Sequence, residues 1–282
     1  MEKINRKVTK ANGDLVSFSN EKLIKSLKKA GASNDTIAII LSKVKKEYYS
    51  KMDTKDIFKI AFSLLKNMQT PVAGKYKLKK AIQELGPSGY PFERYIGEIL
   101  KHRGLQVRVG IIVQGECVKH EVDVVAKKGD KHYMVECKFH SNSKTTCHVK
   151  TPLYIHSRFL DIERAWRKQF GDESMFQEGW LVTNTRFSED ATQYGTCVGL
   201  KMVSWDFPEE GNLRELIETS GLHPITCLTT LTKKQKQKLL KKFIVLCRDI
   251  CQNEQLLTEV GVPQAATQQV MKEATAICEV TP

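Results

Sequence analysis

The segment that decides the fold is His120–His140, HEVDVVAKKGDKHYMVECKFH, which predicts two β-strands joined by a tight turn. Valine and other β-branched or aromatic residues favour an extended chain on both sides of the turn. The turn, Lys128–Lys131, has glycine at its first central position, as a two-residue type II′ hairpin requires. Pairing the two ends of this turn and counting back along both strands places Asp123 directly opposite Glu136.

Charged side chains meet on one face of this predicted hairpin. Opposed residues point to the same face and side chains alternate along a strand, so Lys138 shares the face of Asp123 and Glu136. The two carboxylates repel each other unless a hard divalent cation binds their oxygens. With Lys138 beside an attacking water or a phosphate oxygen, this set predicts metal-assisted phosphodiester hydrolysis. The residues alone leave open a second interpretation, a solvated hairpin edge with a surface Glu–Lys pair.

These residues and an upstream segment resemble known nuclease families. Asp123 followed by Glu136-Cys137-Lys138 resembles the PD-(D/E)XK motif of restriction-endonuclease-like nucleases. Gly89–Arg94, GYPFER, resembles the first-helix motif of Mrr-type restriction enzymes and archaeal Holliday-junction resolvases. The resemblance implies a catalytic set that acts on DNA with Mg or Mn: Glu93, Asp123 and Glu136 as metal ligands and Lys138 at the attacking water.

One feature departs from this family pattern. No proline precedes Asp123, although the name of the motif expects one there. Many Mrr-type proteins have glutamine where Glu136 stands, and a glutamate is the stronger ligand of the two for a hard cation. The similarity extends from about Gly89 to Pro208.

The rest of the central segment alternates predicted strands and helices. Strands are predicted at 107–113, 180–183 and 200–205, and a helix at Ile155–Phe170. This alternation predicts an α/β domain with a mixed sheet flanked by helices. The predicted helix carries Arg158, for which the sequence leaves open a phosphate contact or a solvated position.

The N-terminal third predicts a small β-hairpin followed by four helices. Asn12-Gly13 is a strong hairpin turn signal, and Ser19 or Asn20 can cap the first helix. About residues 3–86 resemble the ATP-cone domain, which regulates class I and III ribonucleotide reductases. The positions that match the family pattern are Val8, Lys10, Gly13, Phe18, Lys22 and Leu23.

The ATP-cone resemblance implies ATP or dATP as an effector. It implies a site in which Lys10 and Lys22 hold the phosphates, Thr54 lies near the nucleotide, and Val8 and Phe18 flank the base. Ala11 stands where the family usually has arginine, which removes one phosphate contact. The sequence contains no P-loop, so we expect the nucleotide to be an effector and not a phosphoryl donor.

Charge and composition add expectations about partners and compartment. The net charge is +13, and residues 1–86 carry 19 Lys and Arg against 8 Asp and Glu. Such an excess indicates an anionic partner, or else a lysine-rich solvated helical surface. There is no apolar run of about 18 residues, no signal peptide and no C-x-x-C among the eight cysteines, which favours a cytoplasmic protein without a membrane partner.

The sequence predicts three parts separated at Gly86–Gly89 and near Pro208. They are an ATP-cone at 1–86, a nuclease domain at 87–208, and a helical tail at 209–282 for DNA binding or dimerisation. Together they predict a nucleotide-regulated, divalent-metal-dependent DNA endonuclease, with a role in restriction or phage defence, that forms a homo-oligomer. The alternatives are a non-catalytic ATP- or dATP-sensing DNA-binding regulator, and a junction resolvase or RNA-directed nuclease of the same fold.

Overall fold

The computed structural model describes residues 7–9, 13–171 and 176–279. The chain divides into two compact units. The first contains the chain up to Leu78, Ile225–Lys238 and the residues from Cys247 onward, and the second contains Lys79–Pro224 and Leu239–Leu246. The fold is mixed α/β with a helical C-terminus, so the predicted fold class is confirmed.

The first unit begins with a short hairpin and a series of helices. Strand β1 (Lys7–Thr9) pairs antiparallel with β2 (Leu15–Ser17), and α1 (Asn20–Lys29), α2 (Asn34–Glu47), α3 (Thr54–Met68) and α4 (Thr70–Tyr76) follow. Ser19 caps α1, as predicted, because its Oγ accepts a hydrogen bond from the Lys22 backbone N–H at 3.2 Å. The hairpin and the helices bury one apolar core, which includes Val8, Leu27, Ile40 and Leu65.

The elements from Leu78 to Ser220 form a mixed sheet flanked by helices. In chain order they are α5 (Leu78–Gln83), α6 (Tyr90–His102), β3 (Gln106–Gln114), β4 (Lys119–Lys128), β5 (Lys131–Lys138), β6 (Thr146–Cys147), α7 (Lys150–Phe170), β7 (Phe176–Thr183), β8 (Arg186–Phe187), α8 (Glu189–Cys197), β9 (Lys201–Val203) and α9 (Leu213–Ser220). The sheet has the order β3-β4-β5-β7-β9 and is antiparallel up to β5 and parallel from β5 onward. Helix α6 contacts β3 and β4, and α7 contacts β7.

The C-terminal helices are α10 (Lys233–Lys241), α11 (Cys247–Gln252), α12 (Gln255–Glu259) and α13 (Gln264–Cys278). The sequence division assigned everything after Pro208 to a separate tail, whereas the structure groups α11, α12 and α13 with the N-terminal helices. A close approach of α13 to α4 explains the grouping, since a Cβ added at Gly74 would lie 2.5 Å from Cδ1 of Ile277. The backbone N–H groups of Thr229 and Thr230 donate to the buried Glu273 carboxylate on α13 at 2.7 and 2.9 Å.

Candidate active site and nucleotide site

The β4–β5 hairpin has the register that the sequence predicts. Its pairs run from Lys128 with Lys131 to Val124 with Val135, and Gly129 has a φ of 60°, as the first central residue of a type II′ turn requires. The paired ladder ends one residue before Asp123. Beyond that point a side-chain contact replaces the main-chain pairing: Asp123 Oδ2 accepts a hydrogen bond from the Cys137 backbone N–H at 2.7 Å.

A kink in the neighbouring strand faces Asp123. Gly110 of β3 lies between the pairs Val109–Val124 and Ile111–Val122, which places it opposite Asp123. Its φ of 63° belongs to the left-handed region that glycine adopts without steric cost. The ladder is therefore interrupted on both sides of Asp123, and the carboxylate lies where the strands separate.

Glu136 is buried and forms an ion pair that the sequence did not predict. Its side chain is 8% exposed, and its Oε2 lies 2.6 Å from the Arg158 guanidinium of α7. Arg158 also donates to the Glu121 backbone carbonyl. Burial and the charge of Asp123 raise the pKa of Glu136 to about 8, against the opposing effect of Arg158. Among the described residues Glu136 Oε1 has no hydrogen-bond partner.

Glu93 reaches the same cluster from the first turn of α6. Burial, Asp123 and Glu121 raise the pKa of Glu93 to about 7. The pKa of Asp123 is also raised, chiefly by burial, although the Cys137 hydrogen bond and Arg158 oppose the change. The structure therefore brings together the three predicted carboxylates, and their mutual charges disfavour full ionisation.

The end of β7 positions the end of β5 through contacts that the sequence analysis missed. The Thr183 hydroxyl donates to the Lys138 carbonyl at 2.7 Å, while the Lys138 side chain is exposed and its charge lowers the pKa of Asp123. The Asn184 side chain binds the His140 backbone twice, accepting from its N–H and donating to its C=O, each at 2.8 Å. Asn184 is 1% exposed.

The chemistry of the three carboxylates fits a hard divalent cation, because Mg²⁺ and Mn²⁺ prefer such oxygen ligands. Within this set, Oε1 of Glu136 has no hydrogen-bond partner among the described residues and is available as a metal ligand. In the present arrangement, however, the described residues include no group of three His, Cys, Asp or Glu side chains placed to hold a metal ion. The Arg158 guanidinium partly offsets the charge of Glu136.

The structure describes four of the five predicted nucleotide residues. Lys22 is exposed in the first turn of α1, and Thr54 is the first residue of α3. Val8 is 3% exposed in the apolar core, and Phe18 packs against that core. Lys10 and Ala11 lie outside the described residues.

Backbone contacts bring the hairpin to the start of α3. The Thr9 backbone N–H donates to the Met52 carbonyl at 3.1 Å, and Thr9 forms a parallel bridge with Asp53. The two predicted contributors of the hairpin and of α3, Val8 and Thr54, are thus held near each other by main-chain bonds.

Comparisons with known proteins match both ends of the chain. An ATP-cone domain model matches residues 6–84, which confirms the predicted N-terminal domain, and an AF1548-like C-terminal model matches residues 223–278. An Archaeoglobus fulgidus protein described as uncharacterized is 37% identical over 180 residues, which are 64% of this chain and 97% of the relative.

A solved structure is similar over a comparable share of the chain. It is described as the crystal structure of AF1548, a protein of unknown function, and is 34% identical with a TM-score of 0.55. The match covers 68% of this chain and 98% of that chain. The descriptions of both relatives name no activity, so the nuclease stays a prediction. No helix within the described part of the chain is long and apolar enough to cross a membrane.

Proposed function

Since the chain belongs to the AF1548-like family and carries a nucleotide-sensing ATP-cone at its N-terminus, we propose that it is a nucleotide-regulated, divalent-metal-dependent DNA endonuclease. The observation that carries the proposal is the convergence of Glu93, Asp123 and Glu136 beside Lys138, at the point where the β4–β5 ladder ends. Buried carboxylates with raised pKa values are characteristic of functional sites.

Each residue of the site has a role in this proposal. Glu93, Asp123 and Glu136 would hold Mg²⁺ or Mn²⁺, which when bound supplies Lewis acidity at a phosphate oxygen and lowers the pKa of a water molecule. The exposed Lys138 ammonium orients the attacking water or neutralises charge on the phosphate. Arg158 lowers the pKa of Glu136 and so favours the carboxylate form that a cation requires.

The ATP-cone supplies the regulation. We infer that ATP or dATP binds at the hairpin through Lys10 and Lys22, beside Thr54 and Phe18. A nucleotide alters DNA cutting only if it binds one conformation or assembly more tightly than another. We propose that the state it selects is a homo-oligomer in the cytoplasm, where the enzyme serves restriction or phage defence.

A double substitution in the cone tests this proposal. Lys10→Ala plus Lys22→Ala should weaken nucleotide binding at least tenfold, because two phosphate contacts are lost, and plasmid cutting should no longer respond to ATP or dATP. Lys25→Ala plus Lys28→Ala, two exposed lysines of the same helix, is the matched control and should behave as the wild type. Calorimetry measures binding, light scattering measures mass, and gel electrophoresis measures cutting. Unchanged nucleotide affinity in the first variant would place the nucleotide elsewhere.

Two observations favour a second candidate, a non-catalytic DNA-binding sensor. Arg158 already offsets Glu136, and no three-ligand metal group is present among the described residues. A sensor would bind DNA in a nucleotide-dependent way without cutting plasmid, linear, branched or RNA substrates in Mg²⁺ or Mn²⁺. The same substrate panel separates a DNA endonuclease from a junction resolvase or an RNA-directed nuclease.

A further inference from the structure

We propose that Tyr90 and Phe243 form a stacking platform for an unpaired nucleobase beside the candidate active site. The inference rests on the proposed nuclease function and deepens it, because it names the substrate class: DNA that presents unpaired nucleotides at the cleavage position, such as a single strand, a flap or a bubble.

The two rings are exposed and in contact. Their centroids are 5.3 Å apart with an interplanar angle of 68°, and Tyr90 and Phe243 are 37% and 49% exposed. Both residues belong to the second compact unit. Adjacent exposed apolar side chains are a feature of ligand- and partner-binding surfaces.

The platform lies next to the carboxylate cluster. Tyr90 opens α6, the helix that carries Glu93, and its Cε2 would lie 3.8 Å from a Cβ at Gly110. Gly110 is the kinked residue opposite Asp123. A nucleotide at the scissile phosphate therefore has an aromatic surface within reach of its base.

Phe243 is held in an unusual conformation that projects its ring outward. Helix α10 ends with the hydrogen bonds of a Schellman motif, from Phe243 N–H to the Leu240 carbonyl and from Ile244 N–H to the Leu239 carbonyl, each 3.0 Å. The residue at this left-handed position is usually glycine, yet here it is Phe243 with a φ of 63°. A bulky side chain kept at such a φ costs stability and points to a functional requirement.

The charges around the platform suit a nucleic acid strand. The guanidinium carbon of Arg94 lies 5.4 Å from the Phe243 ring centroid, and its Nε is buried without a hydrogen-bond partner among the described residues. Lys241, two residues before Phe243, is also exposed. Aromatic faces with adjacent cations bind single strands by stacking bases and contacting phosphates, whereas the bases of a duplex are already stacked on each other.

The test separates base stacking from phosphate contacts and from catalysis. Fluorescence anisotropy in EDTA compares a labelled dT 16-mer, an abasic strand of equal length and a blunt 16-base-pair duplex. The wild type should prefer the dT strand over the abasic strand by about tenfold, within the range that one or two stacked bases give. Phe243→Gly should remove that preference and leave duplex binding unchanged, while Phe243→Trp should keep it.

The variants also control for folding. Phe243→Gly places the favoured residue at a left-handed position, so its melting temperature should equal or exceed that of the wild type. Phe170→Ala is the matched control, since Phe170 is 48% exposed and lies twelve residues along α7 from Arg158, about 18 Å away along the helix axis. It should bind all three probes as the wild type does.

Two results would overturn the platform: a wild type that binds dT and abasic strands equally, or a folded Phe243→Gly variant that keeps the preference. Because these measurements need neither metal nor cutting, they test the platform even if the protein cleaves no DNA. Failure of the nuclease proposal is seen separately, as an absence of cutting of single-stranded and flapped DNA in Mg²⁺ by the wild type.

Discussion

Two acidic sites of the second unit show opposite electrostatics. Asp161 of α7 is surrounded by donors: the backbone N–H groups of Cys117 and Val118 at 2.9 and 3.3 Å, and His120 Nε2 at 2.7 Å. Those hydrogen bonds lower the pKa of Asp161. The Glu93–Asp123–Glu136 cluster instead has few donors and mutual repulsion, and its pKa values are raised.

The difference distinguishes a structural carboxylate from a functional one. Asp161 ties the β3–β4 turn to α7, and its charge is already compensated by the fold. In the cluster Arg158 compensates only part of the negative charge, and the remainder destabilises the protein unless a proton or a metal ion is bound. We therefore expect substitutions at the two sites to affect different properties.

The largest expected effect is on catalysis. Lys138→Ala and Glu93→Gln should each reduce DNA cleavage by about a thousandfold or more, because metal ligands and an orienting lysine act as one unit. The melting temperature of Glu93→Gln should stay level or rise, because this substitution removes a repulsive charge. The control on the same helix is Glu98→Gln, which breaks only a surface pair with Lys101. Cleavage by Glu93→Gln at the rate of this control would show that Glu93 takes no part in catalysis.

A smaller effect is expected at the ion pair that links α7 to the cluster. Without Arg158 the pKa of Glu136 should rise further. Arg158→Ala should therefore need about tenfold more Mg²⁺ for half-maximal cleavage, and it should reach half-maximal cleavage at a higher pH. Arg164→Ala, an exposed arginine of the same helix, should leave both values unchanged. Identical Mg²⁺ dependence in the two variants would show that Arg158 acts only in packing.

The pH dependence of stability should also follow the cluster. Glu93 and Glu136 have folded pKa values of about 7 and about 8, above the ordinary 4.5. Their contribution is fully present below pH 4.5 and is lost as pH rises through the folded values, because the native state holds protons that the unfolded state has released. Melting temperature without metal should fall from pH 6 to 9, and the stabilisation by Mg²⁺ should grow over the same range. Glu93→Gln plus Glu136→Gln should flatten both trends.

The smallest expected effect on activity is at Asp161. Asp161→Asn should lower the melting temperature at neutral pH and leave cleavage nearly unchanged after correction for folded protein. Since the folded pKa is depressed, the contribution of Asp161 is present above pH 3.8 and is lost as pH falls through the folded value. The variant and the wild type should therefore converge in acid. A loss of cleavage as large as that of Lys138→Ala would contradict the structural role.

Local rules predicted the parts of the site that local interactions form. The Gly129 turn set the hairpin register, and the resemblance of Gly89–Arg94 to a first-helix motif placed Glu93 on a helix, where it lies in the first turn of α6. Arg158 was left open between phosphate and solvent because its partner, Glu136, is 22 residues away in sequence. The Asn184–His140 contact depends on the parallel pairing of β5 and β7, which no local pattern encodes.

The grouping of the helices was equally non-local. Nothing in the sequence near Gly74 indicates that α13 approaches α4 there, because the contact joins residues about two hundred positions apart. A glycine inside a short helix is a weak signal, and only the packed structure gives the reason for it.

The central claim is that the carboxylate cluster cleaves DNA with a divalent cation. The most direct measurement is the cutting of supercoiled, single-stranded and flapped DNA by the wild type and by Asp123→Asn, at equal concentration, in Mg²⁺ and in excess chelator. We expect products only for the wild type in Mg²⁺, with both proteins folded to the same melting temperature or the variant slightly higher. Cutting by Asp123→Asn at the wild-type rate, or by the wild type in chelator, would contradict it.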